Sequence, residues 1–331
     1  MTMKKAIYIF LMLAVIAGCK SDSTSTTDTK PVSVQPIKVP PFSGDEAYKL
    51  IEKQLSFGHR VPGTKEHEAC KDWMVEELKS MGATVEVQEF DASYYSGETV
   101  KAYNIIAQFN PEHKKRVFVS AHWDSRRVAD QDPDESKRDQ PILGADDGGS
   151  GVAVAMQIGR TIQANPIDMG VDIVLFDVED QGSNEGGRNS WCLGSQYWSR
   201  NLVPRNYKPE YGILLDMVGS KNARFAKDRV SARYAAPVQD KIWRLAKNMG
   251  YSNLFIDQAG LELTDDHYFV NVIAGIPTID IINQSTTGRS GFGEYWHTHD
   301  DNIDIIDKRT LRITGQVVTA ALYRESAGQL K

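Results

Sequence analysis

Val171-Asp172-Ile173-Val174-Leu175-Phe176-Asp177-Val178-Glu179-Asp180 is the stretch that decides the fold. A short, almost continuous β-branched and aromatic run is the mark of a strand buried on both faces, which belongs to a parallel sheet covered by helices. The run stops at adjacent carboxylates. Alternation along an extended chain sends Glu179 and Asp180 in different directions, so one is free to bind a cation while the other faces a substrate as a proton carrier.

Working outward, the same arrangement recurs. Val117-Phe118-Val119 leads into His122-Trp123-Asp124, Ile213-Leu214-Leu215 into Asp216, and Thr278–Ile282 precedes His297-Thr298-His299-Asp300-Asp301. Asp146-Asp147 lies in Gly144-Ala145-Asp146-Asp147-Gly148-Gly149-Ser150-Gly151, ahead of a helix, and Asp265-Asp266-His267 opens another. A glycine-rich loop before a helix often cradles phosphate, but two carboxylates there would repel an anion, so a cation is the better guest. Helix capping by Asp147 or Ser150, and capping by Asp216, are the plainer alternatives. Open α/β sheets keep their sites at the carboxyl ends of strands, where carboxylates and imidazoles suit zinc. His122 with Asp124 fits a ligand, or an imidazole behind one, whose tautomer a carboxylate fixes.

Helices are expected over 64–81, 151–162, 194–201, 236–249, 265–274 and 308–326. Strands are expected over 84–90, 100–109, 116–121, 171–177, 212–216 and 277–282. Their alternation predicts an α/β fold: one domain over residues 42–331, with a mostly parallel mixed central sheet, helices on both faces and an antiparallel pair at one edge. Formal charge is −6 with 25% charged and 41% hydrophobic residues. That is an ordinary globular balance, and with no basic stripe it argues against a nucleic-acid partner.

The first residues differ in kind. Lys4-Lys5, the apolar stretch Ala6–Ile16 and Ala17-Gly18-Cys19 outline a signal peptide over 1–18. Ile-Ala-Gly-Cys resembles a bacterial lipobox with Cys19 as the lipidated residue, the alternative being an ordinary cleaved signal. Residues 19–41 read as a disordered tether. The expectation is an exported, lipid-anchored protein on the periplasmic face of a bacterial membrane, touching that membrane only through its anchor and acting as a monomer. Cys70 and Cys192 sit in unrelated segments; two unpaired buried thiols are expected, with pairing left open.

With these motifs in view, the chain from about Pro62 onward resembles the zinc-aminopeptidase and glutaminyl cyclase superfamily. His-x-Asp, Gly-Ala-x-Asp-x-x-Ser-Gly, the acidic pair and Leu-Asp-Met-Val-Gly follow one another in the family's order. Trp296-His297-Thr298-His299-Asp300-Asp301-Asn302 is similar to the cyclase branch, where aminopeptidases usually close with Tyr-His-Thr-Pro-x-Asp. The resemblance implies one zinc on Asp147, Asp180 and His297. It further implies a carboxylate network of Glu179, Asp216 and Asp265, with Glu179 as general acid/base and Asp216 holding the substrate amine. Phe292 and Trp296 would line the substrate pocket, with Trp191 as a second aromatic wall. His122 and Asp216 also match the second-metal ligands of the aminopeptidases, so a dinuclear site is open by residue type. One departure stands out: position 180 is Asp where the family commonly has Glu. The implied activity is conversion of N-terminal Gln of exported peptides or proteins to pyroglutamate with release of ammonia. The alternatives are a metal-dependent aminopeptidase and a non-catalytic binding protein on the same scaffold.

Overall fold

The computed structural model describes residues 35–285 and 290–331. The signal segment and Cys19 lie outside these residues. From Ile37 onward the chain forms one unit.

In chain order its helices are α1 (Gly44–Leu55), α2 (Lys65–Ser80), α3 (Gly149–Ala164), α4 (Leu193–Arg200), α5 (Arg229–Tyr234), α6 (Ala236–Asn248), α7 (Asp266–Phe269) and α8 (Lys308–Ser326). Its strands are β1 (Thr84–Ser93), β2 (Thr99–Phe109), β3 (Arg116–His122), β4 (Gly170–Phe176), β5 (Gly212–Asp216), β6 (Phe225–Lys227), β7 (Phe255–Ala259) and β8 (Thr278–Ile282). The main sheet has six strands in the order β1-β2-β4-β3-β5-β8. Pairing is antiparallel for β1/β2 and β2/β4, and parallel from β4 through β3 and β5 to β8. The antiparallel pair therefore sits at one edge, as expected. A separate parallel pair, β6/β7, has no counterpart in the sequence reading.

Two apolar layers explain why the central strands lack polar alternation. Val171, Ile173 and Leu175 of β4 join a large core with α1, α2, α3 and α8. Val174 and Phe176 point the other way, into a smaller core with Phe118, Trp198 and Tyr207. Asp172 is also on that second face, fully buried. It accepts hydrogen bonds from Arg116 Nε at 2.7 Å and Nη2 at 2.6 Å, and the Tyr207 hydroxyl donates to it as well. A charge inside a strand is tolerated because its acceptor capacity is filled.

Chain order moves from β3 to β4 on one side and then to β5 on the other. That reversal opens a crevice at the carboxyl end of β3, where α/β sheets bind ligands. Thr64 caps α2 as expected, accepting from the His67 N–H. The helix expected over 265–274 is instead the short α7 continued by a wider-pitched turn, Val270–Ala274. The tether also ends earlier than expected. Ile37 N–H donates to Gln329, Gln316 donates to the Pro40 carbonyl and Pro40 is buried, so residues 37–41 belong to the packed body beside α8. Cys70 and Cys192 are both free and buried. Among the described residues no helix is long and apolar enough to cross a membrane.

Candidate metal and active site

Each parallel strand delivers one piece of chemistry to the crevice. β3 ends on His122, β5 on Asp216, and the turn after β4 carries Glu179 and Asp180. The loop before α3 brings Asp147, and the segment after β8 brings Trp296 and His297. Three of these positions have left-handed backbone without being glycine: Val178 (φ 54°), Met217 (φ 46°) and His297 (φ 57°). Such geometry is costly for a β-branched residue such as Val178 and is concentrated at functional sites. It turns the chain out of the strand direction where the carboxylates must meet. Gly148 (φ 84°) is needed for a different reason, since a Cβ there would lie 2.9 Å from the His122 ring.

Two sets of donors share Asp147. Asp147, Asp180 and His297 offer atoms within 4.8 Å of one another, and so do His122, Asp147 and Asp216. In the first set His297 Nε2 lies 3.0 Å from Asp180 Oδ1 and 3.8 Å from Asp147 Oδ2. In the second His122 Nε2 lies 2.9 Å from Asp147 Oδ1 and 3.4 Å from Asp216 Oδ1. All five side chains are buried, and Asp180 Oδ2 and Asp216 Oδ1 have no hydrogen-bond partner among the described residues. Buried carboxylate oxygens without donors are costly unless a cation satisfies them, and a nitrogen-plus-carboxylate set of this kind fits zinc. The two sets differ in access: Asp147, Asp180, Asp216 and His297 line a pocket of about 200 Å³, whereas His122 stands behind Asp147.

The electrostatics follow from crowding acids into a dry place. Burial raises the Glu179 carboxyl well above its ordinary value; His122 opposes this, while Asp265 and Asp180 add to it. Burial likewise pushes Asp216 up to about 8, with the Asp265 and Asp147 charges helping and the nearby His122 imidazole opposing. Burial works against a charged His297, but Asp180 and Asp130 outweigh it and lift the imidazole to about 9. A bound dication would reverse these tendencies, keeping the ligating carboxylates ionised and His297 neutral.

All the residues expected from sequence to line the pocket do so. Phe292, Trp296 and Trp191 form its aromatic side, and Glu179, Asp216 and Asp265 face it with the ligand set. Trp296 stacks on His297 with ring centroids 3.5 Å apart, and Trp191 lies parallel to the same imidazole at 6.3 Å. Asp124 belongs to neither donor set. Its carboxylate accepts the Glu179 and Asp180 N–H groups at 3.0 and 3.2 Å and lies 3.4 Å from His122 Nδ1, so it sets the acidic turn and faces the imidazole behind Asp147. Asp177 is turned away, bonded to His67.

The roles of several supporting groups are not legible in the sequence. Asp130 lies 3.0 Å from His297 Nδ1 and is itself held by Arg126 Nε at 2.7 Å. It fixes the imidazole with Nε2 free to ligate. Asp301 accepts the Asp146 and Asp147 N–H groups at 2.8 and 3.1 Å, and so aims the ligand loop. Cys192 donates its thiol to Glu179 Oε1 at 3.0 Å. We expect Asp130→Asn to weaken zinc binding by about 10–100-fold. Competition with a graded chelator would measure this, and unchanged affinity would remove Asp130 from the site.

An imidazole–carboxylate centre at the carboxyl ends of a mostly parallel sheet, with an acid held beside it, defines the class of metal-dependent peptidase-like enzymes. The chain belongs to peptidase family M28, whose sequence profile matches residues 104–322. Among solved structures it is similar to the Porphyromonas gingivalis glutaminyl cyclase, with 47% identity and a TM-score of 0.84 over 86% of this chain and 99% of that one. A structure described as a Zn-dependent exopeptidase from Parabacteroides distasonis gives 47% identity and a TM-score of 0.85 over 86% and 99% of the two chains. Aminopeptidase YwaD of Bacillus subtilis (strain 168) is 27% identical over 222 residues, which are 65% of this chain and 42% of that protein. The chain thus spans 42% of the length of that curated relative.

Proposed function

We propose that the protein is a glutaminyl-peptide cyclotransferase, converting N-terminal Gln of peptides or proteins to pyroglutamate with release of ammonia. The observation that carries this reading is the pocket itself: small, aromatic on one side, with the carboxylates of half-buried Glu179 and buried Asp216 and Asp265 facing a single pocket-lining ligand set. Likeness to the Porphyromonas gingivalis glutaminyl cyclase over nearly its whole length supports it. Asp147, Asp180 and His297 would hold one zinc, which supplies a Lewis acid for a carbonyl oxygen.

The remaining work falls to side chains. Phe292, Trp296 and Trp191 exclude water and fold the Gln side chain back upon its own amine, supplying proximity. Asp216 holds that amine. A bond forms between the α-nitrogen and the δ-carbon as the bond from that carbon to the amide nitrogen breaks. Glu179 takes a proton from the attacking amine and delivers it to the leaving nitrogen, which departs as ammonia. Asp265, with an oxygen within 4.8 Å of a Glu179 oxygen, adds a like charge that helps Glu179 hold the proton until it is delivered.

The His122–Asp147–Asp216 set favours a second reading, a two-metal aminopeptidase. Peptides beginning with Gln and with Leu, incubated with the zinc-supplemented protein and followed by mass spectrometry, separate the two. Loss of ammonia from the first with the second intact is expected; release of free Leu would overturn the cyclase reading. Bound zinc distinguishes them again, at about one equivalent or about two. We further propose export and lipid anchoring at Cys19, supported by the basic start, the apolar stretch and the small residues before that cysteine.

A further inference from the structure

His297 belongs to the long connection between β8, which ends at Ile282, and α8, which starts at Lys308. A metal ligand must stand within about 0.5 Å of its productive place, and a connection of this kind needs ties on both sides of the ligand to achieve that. On the C-terminal side the tie is Asp301, which accepts the backbone N–H groups of Asp146 and Asp147. Two residues before His297 stands Tyr295, and its hydroxyl donates to Oδ2 of the same Asp146.

That hydroxyl is a junction. Ser220 Oγ lies 3.0 Å from it, and Asn283 Nδ2 donates to it at 3.2 Å. Asp146 in turn accepts the Gly219 N–H on Oδ1 at 2.7 Å. The segments leaving β5 and β8 therefore meet the Asp147 loop and the His297 segment at one pair of side chains. Asp146 is completely buried and belongs to neither donor set, so its carboxylate serves this junction rather than an ion. The tyrosine ring is placed as closely as its oxygen. It packs against Met217, Leu263 and Ile282, and a Cβ on Gly293 would fall 2.3 Å from its Cε1. Phenylalanine would fill the same space; only the bonds to the hydroxyl require tyrosine.

We propose that Tyr295 is a positioning residue for the metal centre: through Asp146 it sets the His297 side of the zinc ligand set against the Asp147 side. The assignment rests on Asp147, Asp180 and His297 as the zinc ligands, and is independent of which reaction the zinc serves.

Cobalt(II) is the probe, because its visible absorption reports the angles between its ligands. It is titrated into the metal-free full chain, into Tyr295→Phe, Asp146→Ala and the two combined, and into Tyr323→Phe. Tyr323→Phe removes a hydroxyl bond of the same kind, made to the Asn165 carbonyl at the end of α3 remote from Asp147. Tyr295→Phe should bind cobalt about tenfold more weakly and change the shape of the absorption band, whereas Tyr323→Phe should do neither. The double variant should lose no more than Asp146→Ala alone, because both substitutions remove one and the same bond. Unchanged affinity in Tyr295→Phe, a weaker affinity with an unaltered band, or fully additive losses would each overturn the role of Tyr295. Equal effects of the two tyrosine substitutions would overturn it too, by making the loss one of general stability. Failure of the unaltered chain to bind cobalt is a different result: it removes the ligand assignment itself, and this role with it.

Discussion

Glu179→Gln should lower kcat by about 10²–10⁴-fold while zinc content and fold stay as they are. The substitution keeps shape and an acceptor oxygen for the Cys192 thiol, which donates to Glu179 Oε1 at 3.0 Å. It also leaves the backbone N–H of residue 179 on Asp124. What it removes is the capacity to take up and return a proton. Glu179 is well suited to that task because burial and the neighbouring acids hold its carboxyl far above the usual range. A single-turnover assay with a Gln-initiated peptide, run beside a zinc determination, measures both quantities. A loss of less than about tenfold would assign the proton to another group.

Arg60→Met should cost about 2–5 kcal/mol of stability. Arg60 is completely buried and donates to three carbonyls, those of Trp123, Leu143 and Gly144, each at 2.8 Å. Gly144 O keeps a bond from the Gly149 N–H at 3.2 Å, so the variant leaves the Trp123 and Leu143 oxygens as the groups without a described donor. Both stretches belong to the site: Trp123 separates His122 from Asp124, and Leu143-Gly144 opens the loop that carries Asp147. Weaker zinc retention should therefore accompany the lower urea midpoint. A stability change below about 1 kcal/mol would show that these carbonyls find other partners.

The sheet was legible because its central strands are short apolar runs that stop at an acid or an imidazole, a pattern that sequence carries in full. Asp147, Asp180 and Asp216 could be marked as candidates for the same reason, each lying close to the end of a strand or the head of a helix, whereas His297, in the long loop between β8 and α8, joined them through the family resemblance. Asp130 could not. It lies in a charged loop and meets His297 across 167 residues of chain, a pairing no local signal encodes. Arg60, whose three acceptors are distant loop carbonyls, was hidden in the same way. The missed helix α1 is a different case, since Ser43 as cap and Ala47, Leu50 and Ile51 at helical spacing were all present. Strand β6, three residues long, is too short for any period to register.

The left-handed residues at the strand ends bear on how an ion is captured. A side-chain-bearing residue in that region has a narrow well with steep walls, so Val178, Met217 and His297 have few alternative conformations to explore. With Asp124, Asp130 and Asp301 holding their neighbours by hydrogen bonds, the donors stand near one another in the folded chain itself. Little configurational freedom remains to be surrendered on loading, which favours rapid uptake and slow escape of the ion. The ordering is completed once, when the chain folds, and is not repeated each time an ion or a peptide arrives.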